Sequence, residues 1–289
     1  MVKEKVFSKQ VISLLVIVAI ALLVLGINIF RTLPDGKLHL IFCDVGQGDG
    51  ILLKTPKGDK VLIDGGPDDS VLSCLGRFMP FYDRNLELMV LTHPQADHMI
   101  GLISVFERYD VEKVLRTTAI NRTAGFEEFR KAEISEKSQE FQALSDSKIN
   151  LDTNLTAAIL WPPPGNLASV ADLNDTGIVL RVDFGQFCAL LTADAGNFVW
   201  TELSAAGELS PCYLLKVAHH GSKNATNEQF LQSISPKIAV ISVGAHNRYG
   251  HPHKQVIDEL ESRKIQVLRT DQKGTIEIVS DGKKVEVRD

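Results

Sequence analysis

Two imidazoles and a carboxylate stand close together in the segment THPQADH. They belong to His93, Asp97 and His98, and they follow the apolar segment 86–91. A strand end holds side chains rigidly, while the loop after it lets them converge on one point. Imidazole nitrogens and carboxylate oxygens suit a zinc- or manganese-class ion. The segment therefore predicts a divalent metal site, with a polar loop in which Asp97 caps a helix over 98–108 as the alternative.

Two further strand ends present the same types of ligand. Asp194 follows the apolar segment 187–192, and His219 and His220 follow a strand predicted at 213–218. Because successive side chains of a strand point to opposite faces, only one of these histidines is expected to face the metal. The other is then a supporting group or an acid. Three strand ends that each supply a ligand argue against an accidental cluster of core histidines.

The elements that must position these side chains alternate between short strands and helices from residue 37 onward. Two strand-rich blocks with helices between them predict an α/β protein, and the pattern fits an αββα sandwich. The strand order does not follow from the periodicity. Segment 121–150 is polar and is predicted to be a surface insertion that carries a helix.

Residues 11–30 are almost wholly apolar and are long enough to cross a hydrocarbon core as a helix. We expect an uncleaved transmembrane signal anchor at 11–30. A short cytoplasmic N-terminus at 1–10 would precede it, and the rest of the chain would lie outside the cell as the soluble part of a single-pass membrane protein. A cleaved signal peptide is the alternative.

Composition sets further limits. Hydrophobic residues make up 44% of the 289 residues, which excludes a disordered, collagen-like or coiled-coil chain. The net charge of −5 provides no global positive field for a polyanion, so a nucleic-acid role must rest on a local groove or a metal. The four cysteines are scattered without a CxxC motif, and we expect single core positions rather than a disulfide framework.

The motifs HPQADH, LLTAD and KVAHHGS together resemble those of the metallo-β-lactamase superfamily. With DVGQGD and RYGHPH added, the chain resembles the extracellular hydrolase domain of ComEC-type competence DNA-uptake proteins. The similar stretches run from residue 38 to residue 279. The resemblance implies a metallo-β-lactamase-like αββα sandwich over residues 31–289, preceded by one transmembrane helix. ComEC-type proteins carry many more such helices, so the chain resembles a detached, anchored version of that domain.

The resemblance also implies a set of metal ligands. They are His93, Asp97, His98, Asp194 as a bridging carboxylate, and His220 in preference to His219. The chain departs from the family at Gln95, where an Asp or a His is usual, and at Asn174 and Asp175, where a ligand histidine stands before the next strand. We therefore expect one well-occupied zinc or manganese ion and a second, partially occupied position.

The function implied by the resemblance is metal-dependent hydrolysis of a phosphodiester, with DNA outside the cytoplasm as the substrate and single-stranded DNA as one candidate. Asp97 would orient the attacking water, and His219 would protonate the leaving oxygen. Ser222, Lys223, Asn247 and His251 are the candidate substrate-binding residues. Two alternatives stay open: a metal-poor, catalytically weak binding module on the same fold, and a hydrolase of a small ester or small phosphodiester. The sequence does not predict an oligomeric state.

Two further motifs are expected to have mainly structural roles. Segment 44–50 resembles a phosphate-binding loop but lacks the last glycine and the following helix, so we expect a tight connection between two strands. Gln47 and Asp49 are nevertheless candidates to line the site. Asp64, in the segment IDGG, is expected to support a ligand rather than to bind the metal.

Overall fold

The structure is a computed structural model that describes residues 9–165, 167, 170 and 172–288. The predicted cytoplasmic segment 1–10 lies outside the described residues, apart from residues 9 and 10, which belong to the first helix.

Strands and helices alternate along the chain as the sequence predicts. The strands are β1 Leu38–Phe42, β2 Ile51–Lys54, β3 Lys60–Ile63, β4 Asn85–Leu86, β5 Leu88–Leu91, β6 Asp110–Val111, β7 Lys113–Arg116, β8 Gln139–Gln142, β9 Lys148–Asp152, β10 Leu155–Trp161, β11 Val179–Phe184, β12 Phe187–Leu191, β13 Leu214–Lys216, β14 Ile238–Ile241, β15 Gln266–Arg269, β16 Ile276–Ser280 and β17 Val285–Arg288. The helices are α1 Lys9–Thr32, α2 Ser70–Phe78, α3 Ala96–Phe106, α4 Ala124–Glu136, α5 Asn197–Ala205, α6 Glu228–Ile234, α7 Lys254–Ser262 and α8 Thr270–Lys273.

Two mixed sheets form the centre of the domain. The first has the strand order β17-β16-β1-β2-β3-β5-β7-β8, and the second has the order β15-β14-β13-β12-β11-β10-β9. Strands β3, β5, β7 and β8 run parallel to one another, as do β12 to β15. Parallel neighbours end at the same edge of a sheet, so polar residues that follow β5, β12 and β13 are brought to one side of the domain.

Three hydrophobic clusters define four layers. One cluster lies between the sheets, where the inner faces of β1, β3, β10 and β12 meet. A second packs α5, α6 and α7 on the outer face of the second sheet, and a third packs α2, α3 and α4 on the outer face of the first. Central strands such as β1 and β5 are buried on both faces, which explains their continuous apolar sequences. This arrangement confirms the predicted αββα sandwich.

Helix α1 stands apart from these layers. Its segment Lys9–Ile27 has a mean hydropathy of 2.9 and none of it is buried against the domain. By length and composition, α1 is long and apolar enough to cross a membrane. The connector between α1 and β1 comprises only residues 33–37.

The prediction that the cysteines are single core positions is wrong. Cys43 is bonded to Cys74 and Cys188 to Cys212, with Cα atoms 5.8 Å and 5.0 Å apart, respectively. Each pair is separated by more than twenty residues in sequence, 31 and 24. The pairs form because α2 packs on the end of β1 and because the segment entering β13 lies beside β12. No local spacing motif predicts disulfides between cysteines this far apart in the sequence.

Candidate metal centre

Four side chains converge where the two sheets meet. Asp97, His98, Asp194 and His220 each offer one ligand atom, and these four atoms all lie within 4.8 Å of one another. His98 and Asp97 lie in the first turn of α3, which begins just after β5. Asp194 follows β12, and His220 follows β13. His98, Asp194 and His220 are fully buried, while the Asp97 side chain is 29% exposed.

His98 is oriented by a carboxylate on its far side. Its Nδ1 lies 2.7 Å from Oδ2 of Asp64, which follows β3. Asp64 also accepts hydrogen bonds from the backbone N and from Oγ1 of Thr92, at 2.8 Å and 2.7 Å. Asp64 therefore orients His98, and Asp49, Asp64 and His98 form a second group whose donor atoms lie within 4.8 Å of one another. Nε2 of His98 then faces Oδ1 of Asp194 at 3.2 Å.

A left-handed turn places His220 in the candidate metal group, which does not include His219. Strand β13 ends at Lys216, so the expected alternation of strand side chains does not apply to this pair. Instead, His219, His220 and Gly221 have φ values of 47°, 53° and 82°. Non-glycine residues in this region cost about 1–3 kcal/mol each and persist where the surroundings hold them. The turn brings Nδ1 of His220 to the carbonyl of Ser242 at 2.9 Å and places the ring in the cluster.

Asp194 lies between the two buried rings. Its Oδ2 is 3.4 Å from Nε2 of His220, and His220 Nε2 is 3.5 Å from Oδ2 of Asp97. Burial alone would lower the pKa of His220, but the charge of Asp194 and the contacts with Asp194 and Asp97, together with the charge of Asp49, outweigh it and raise the pKa to about 9. Burial opposes ionisation of Asp194 as well, yet the adjacent His220 and His98 hold its pKa well below the usual range. Burial would also raise the pKa of Asp97, but contact with His220 and the charge of His98 lower it to about 2.

The donor atoms fit a divalent cation. His98, His220 and His93 each place Nδ1 against a protein acceptor, namely Asp64, the Ser242 carbonyl and Oγ1 of Thr92. The Nε2 atoms of all three rings and both oxygens of Asp194 are buried and have no hydrogen-bond partner among the described residues. Buried polar atoms without partners are rare in folded proteins. A cation held by the group of four would accept lone pairs from Nε2 of His98, Nε2 of His220 and Asp194.

A buried ion pair borders the cluster. The Lys216 ammonium, fully closed to solvent, contacts Oδ2 of Asp49 and lies 2.8 Å from the carbonyl oxygen of Ala193. The same ammonium is 3.7 Å from Oδ1 of Asp194. Oδ1 of Asp49 is 3.6 Å from Nδ1 of His220. Asp49 is predicted from the sequence as a possible lining residue, whereas Lys216 is not; the signal for Lys216 is a lysine inside the apolar segment YLLKV.

The DVGQGD segment serves as a tight connection, as predicted. It joins β1 to the antiparallel β2, and the backbone N of Asp49 donates to the Asp97 carbonyl at 3.2 Å. A Cβ at Gly48 would lie 2.1 Å from that carbonyl oxygen, so only glycine fits. Gln47 does not reach the cluster, and its Oε1 accepts from the Gly244 backbone N at 3.2 Å.

The predicted second ion position, around His93, offers few charged donors. His93 is fully buried, and its ring centroid lies 4.2 Å from that of His98. Burial, together with the nearby His98, lowers the pKa of His93 to about 3, so the ring is neutral. Asn174 has a buried Oδ1 without a partner among the described residues. Asp175 instead accepts from the Gly196 backbone N at 2.8 Å.

The predicted acid His219 and the predicted substrate-binding residues differ in exposure and contacts. His219 has a half-buried ring with Nε2 3.7 Å from Oδ2 of Asp194, and the His251 ring lies 5.6 Å from it. Lys223 is exposed and Ser222 is buried. Asn247 hydrogen-bonds its own loop through both amide atoms, so it shapes the loop that carries His251.

Comparison with known proteins agrees with this geometry. A profile of the metallo-β-lactamase superfamily matches residues 43–246. The chain belongs to the metallo-β-lactamase superfamily. The superfamily consists mostly of hydrolases. Among solved structures, the metallo-β-lactamase-fold protein YhfI from Bacillus subtilis superposes with a TM-score of 0.53, at 13% identity over 80% of this chain and 95% of that one.

Curated relatives of this superfamily member include competence proteins. ComE operon protein 3 of Bacillus subtilis (strain 168) is 30% identical over 260 residues, which are 84% of this chain and 33% of that protein. Competence protein ComA of Neisseria gonorrhoeae is 26% identical over 267 residues, 89% of this chain and 34% of that protein. The chain thus spans about a third of the length of these relatives. The predicted resemblance to competence proteins is confirmed.

Proposed function

We propose that the chain is a membrane-anchored, metal-dependent phosphodiesterase that cleaves DNA outside the cytoplasm. The observation that carries the proposal is the set of buried Nε2 atoms of His98 and His220 and the buried oxygens of Asp194. These atoms lack hydrogen-bond partners among the described residues and lie beside the carboxylate of Asp97.

Asp97, His98, Asp194 and His220 would hold one divalent ion. Two imidazoles and two carboxylates suit zinc or manganese. When bound, such an ion supplies Lewis acidity toward a phosphoryl oxygen and lowers the pKa of a water molecule to about 7. His93 and Asp194 would be two ligands of a second metal position. The neutral amides of Gln95 and Asn174 would complete that position only weakly, because an amide oxygen carries no full charge.

Asp97 and His219 would take different roles in the hydrolysis. Asp97 is the most exposed of the four clustered donors, and its lowered pKa keeps it an acceptor that orients the attacking water. His219 stands at the mouth with 32% of its side chain exposed, where its ring can donate a proton to the leaving oxygen. Asp64 and the Ser242 carbonyl fix the orientation of the two buried rings.

DNA is proposed as the substrate on three grounds. The motifs resemble those of ComEC-type DNA-uptake proteins, and a relative is named a competence protein. Exposed cations on loops near the mouth, Lys223 and Arg248, provide local positive charge in a chain whose net charge is −5. His251, beside His219, is the further proposed contact with the phosphate backbone.

Two features support a location outside the cytoplasm. Disulfides persist in oxidising compartments and are rare in the cytosol, and this domain contains two. Helix α1 precedes the domain and has the length and composition of a membrane span. We propose a single-pass orientation with the N-terminus in the cytoplasm.

The test is hydrolysis by the full-length chain in detergent, loaded with zinc or manganese. Single-stranded DNA and a chromogenic bis-aryl phosphodiester serve as substrates. We expect turnover that a chelator abolishes and that Asp97→Asn lowers by about 100-fold or more, in line with the loss of a group that positions the nucleophile. Asp258→Asn, on the exposed face of α7, is the matched control and should keep full activity.

Other outcomes would redirect the proposal. Tight binding of single-stranded DNA with no turnover under any metal would favour a catalytically weak binding module. Turnover of the chromogenic ester with none on DNA would favour a hydrolase of small esters or phosphodiesters. Either result would contradict DNA cleavage.

A further inference from the structure

The edge of the domain beside the end of α1 carries exposed aromatic side chains. Phe81 and Tyr82 follow α2 and are 65% and 55% exposed, with their rings in edge-to-face contact at 5.3 Å. Phe30, in the last turns of α1, is 77% exposed. Large exposed aromatic side chains in one region of a protein surface indicate contact with another protein or with a membrane.

These side chains belong to one continuous surface. A groove of about 830 Å³ is lined by Phe30 and Leu33 on one side and by Arg77 and Phe78 on the other. A second hollow of about 290 Å³ is lined by both Leu33 and Tyr82. We define the proximal face as Phe30, Leu33, Arg77, Phe81 and Tyr82.

The connector holds the proximal face close to the end of α1. Residues 33–37 could span at most about 17 Å if fully extended, and they are not extended. Pro34 packs so closely on the domain that a Cβ at Gly58 would lie 2.7 Å from its ring. Asp35 accepts hydrogen bonds from the backbone N of Lys37 and from Nε2 of His39, both at 3.0 Å.

The metal cluster lies at the opposite edge. Strand β1 begins at Leu38, beside the connector, and leads to Asp49 in the cluster. Five residues of strand cover about 17 Å. Strand β2 runs antiparallel to both β1 and β3, so β1 and β3 run in the same direction. Strand β5 is parallel to β3. The carboxyl ends of β3 and β5 therefore point away from the connector.

We propose that the proximal face docks on the headgroup region of the bilayer that holds α1, which turns the mouth of the metal cluster away from the membrane. Aromatic rings favour the interface between headgroups and acyl chains, where Phe81 and Tyr82 would insert. The guanidinium of Arg77, which lies 5.0 Å from the Phe78 ring, would contact lipid phosphates. This inference rests on the anchoring part of the proposed function and is independent of its catalytic part.

Fluorescence quenching by lipid tests the docking. Full-length chains with Tyr82→Trp or Tyr249→Trp are placed in nanodiscs that contain lipid brominated near the headgroup end of its acyl chains. Tyr249 is 51% exposed on the loop beside the metal cluster, so it reports on the opposite edge. The emission of wild-type chain, from the buried Trp161 and Trp200, is subtracted. Both substitutions replace an exposed aromatic residue with another, which leaves the fold intact.

We expect the emission added by Tyr82→Trp to fall by about half in brominated discs and that added by Tyr249→Trp to stay unchanged. Equal quenching at both positions, or none at either, in chains that co-elute with the discs would overturn the docking alone. Chains that fail to co-elute with the discs would overturn both the anchoring and the docking. Hydrolysis measured on the same samples would report separately on the catalytic part of the proposed function.

Discussion

The ammonium group of Lys216 contacts the carboxylate of Asp49, and both side chains are closed to solvent beside the candidate metal ligands. Lys216 also lies 3.7 Å from Asp194, so its charge offsets part of the negative charge that gathers around the two buried histidines. A buried charge is tolerated when it is paired with an opposite charge, as Lys216 and Asp49 are here.

Lys216→Met should therefore destabilise the metal-free fold by about 3–5 kcal/mol, because it leaves Asp49 buried without its partner. Chemical denaturation of the chelator-treated chain measures the change. Adding Asp49→Asn to Lys216→Met should recover much of the loss, since the unpaired charge is then removed. A stability of Lys216→Met equal to that of the unaltered chain would contradict the pairing.

Asp64→Asn should weaken metal binding by about 10–100-fold, because an amide cannot hold the Nδ1–H of His98 and both donors of Thr92 at once. Competition with a metal-sensitive dye measures the affinity. Asp69→Asn, at the start of α2 where the side chain makes no capping hydrogen bond, is the matched control and should bind metal normally. Equal affinities in the two variants would show that Asp64 does not position His98.

Elemental analysis should find about one tightly held ion per chain, with a second that dialysis removes, because Gln95 supplies no charge to the His93 position. Gln95→His should increase retention of the second ion by adding an imidazole donor there. Two ions held equally tightly by the unaltered chain would contradict the weakness assigned to the His93 position.

Metal binding should release about two protons at pH 7.5, one from each of His98 and His220. The pKa of His220 is raised to about 9, and the charges of Asp194 and Asp64 raise the pKa of His98 despite its burial, so both rings favour the protonated form in the metal-free protein and must lose a proton to bind. Asp97 and Asp194 have lowered pKa values and contribute no proton. The affinity should thus fall as the pH is lowered from 9.

Calorimetry in buffers of different ionisation enthalpy measures the released protons. His220→Ala should remove about one proton from the count. Proton release near zero in the unaltered chain would show that the two rings are not the groups that bind.

The layers of the fold could be predicted from the sequence because each central strand, such as Leu88–Leu91, reads as a short apolar segment followed by polar residues. His98 and Asp194 could be predicted as partners for the same reason. The strand order, in contrast, depends on long-range pairing such as that of β1 with β16, which periodicity does not encode.

Other features depend on contacts across the fold. Lys216 resembles an ordinary strand residue until β1 and its loop bring Asp49 to it. The placement of His220, and not His219, in the candidate metal group goes with positive φ values in a turn, which strand alternation does not predict. Cys43 meets Cys74 only because α2 packs on β1. In each case the contacting residue is distant in the sequence, so local sequence patterns do not predict the contact.

X-ray absorption at the zinc edge of the zinc-loaded, full-length chain tests the metal centre most directly. We expect a first coordination shell of nitrogen and oxygen atoms with the outer-shell scattering of two imidazoles, reduced to one in His220→Ala. We expect no sulfur, because all four cysteines are paired in disulfides. A sulfur shell, or an imidazole signal unchanged by His220→Ala, would contradict a site built from His98, His220, Asp97 and Asp194.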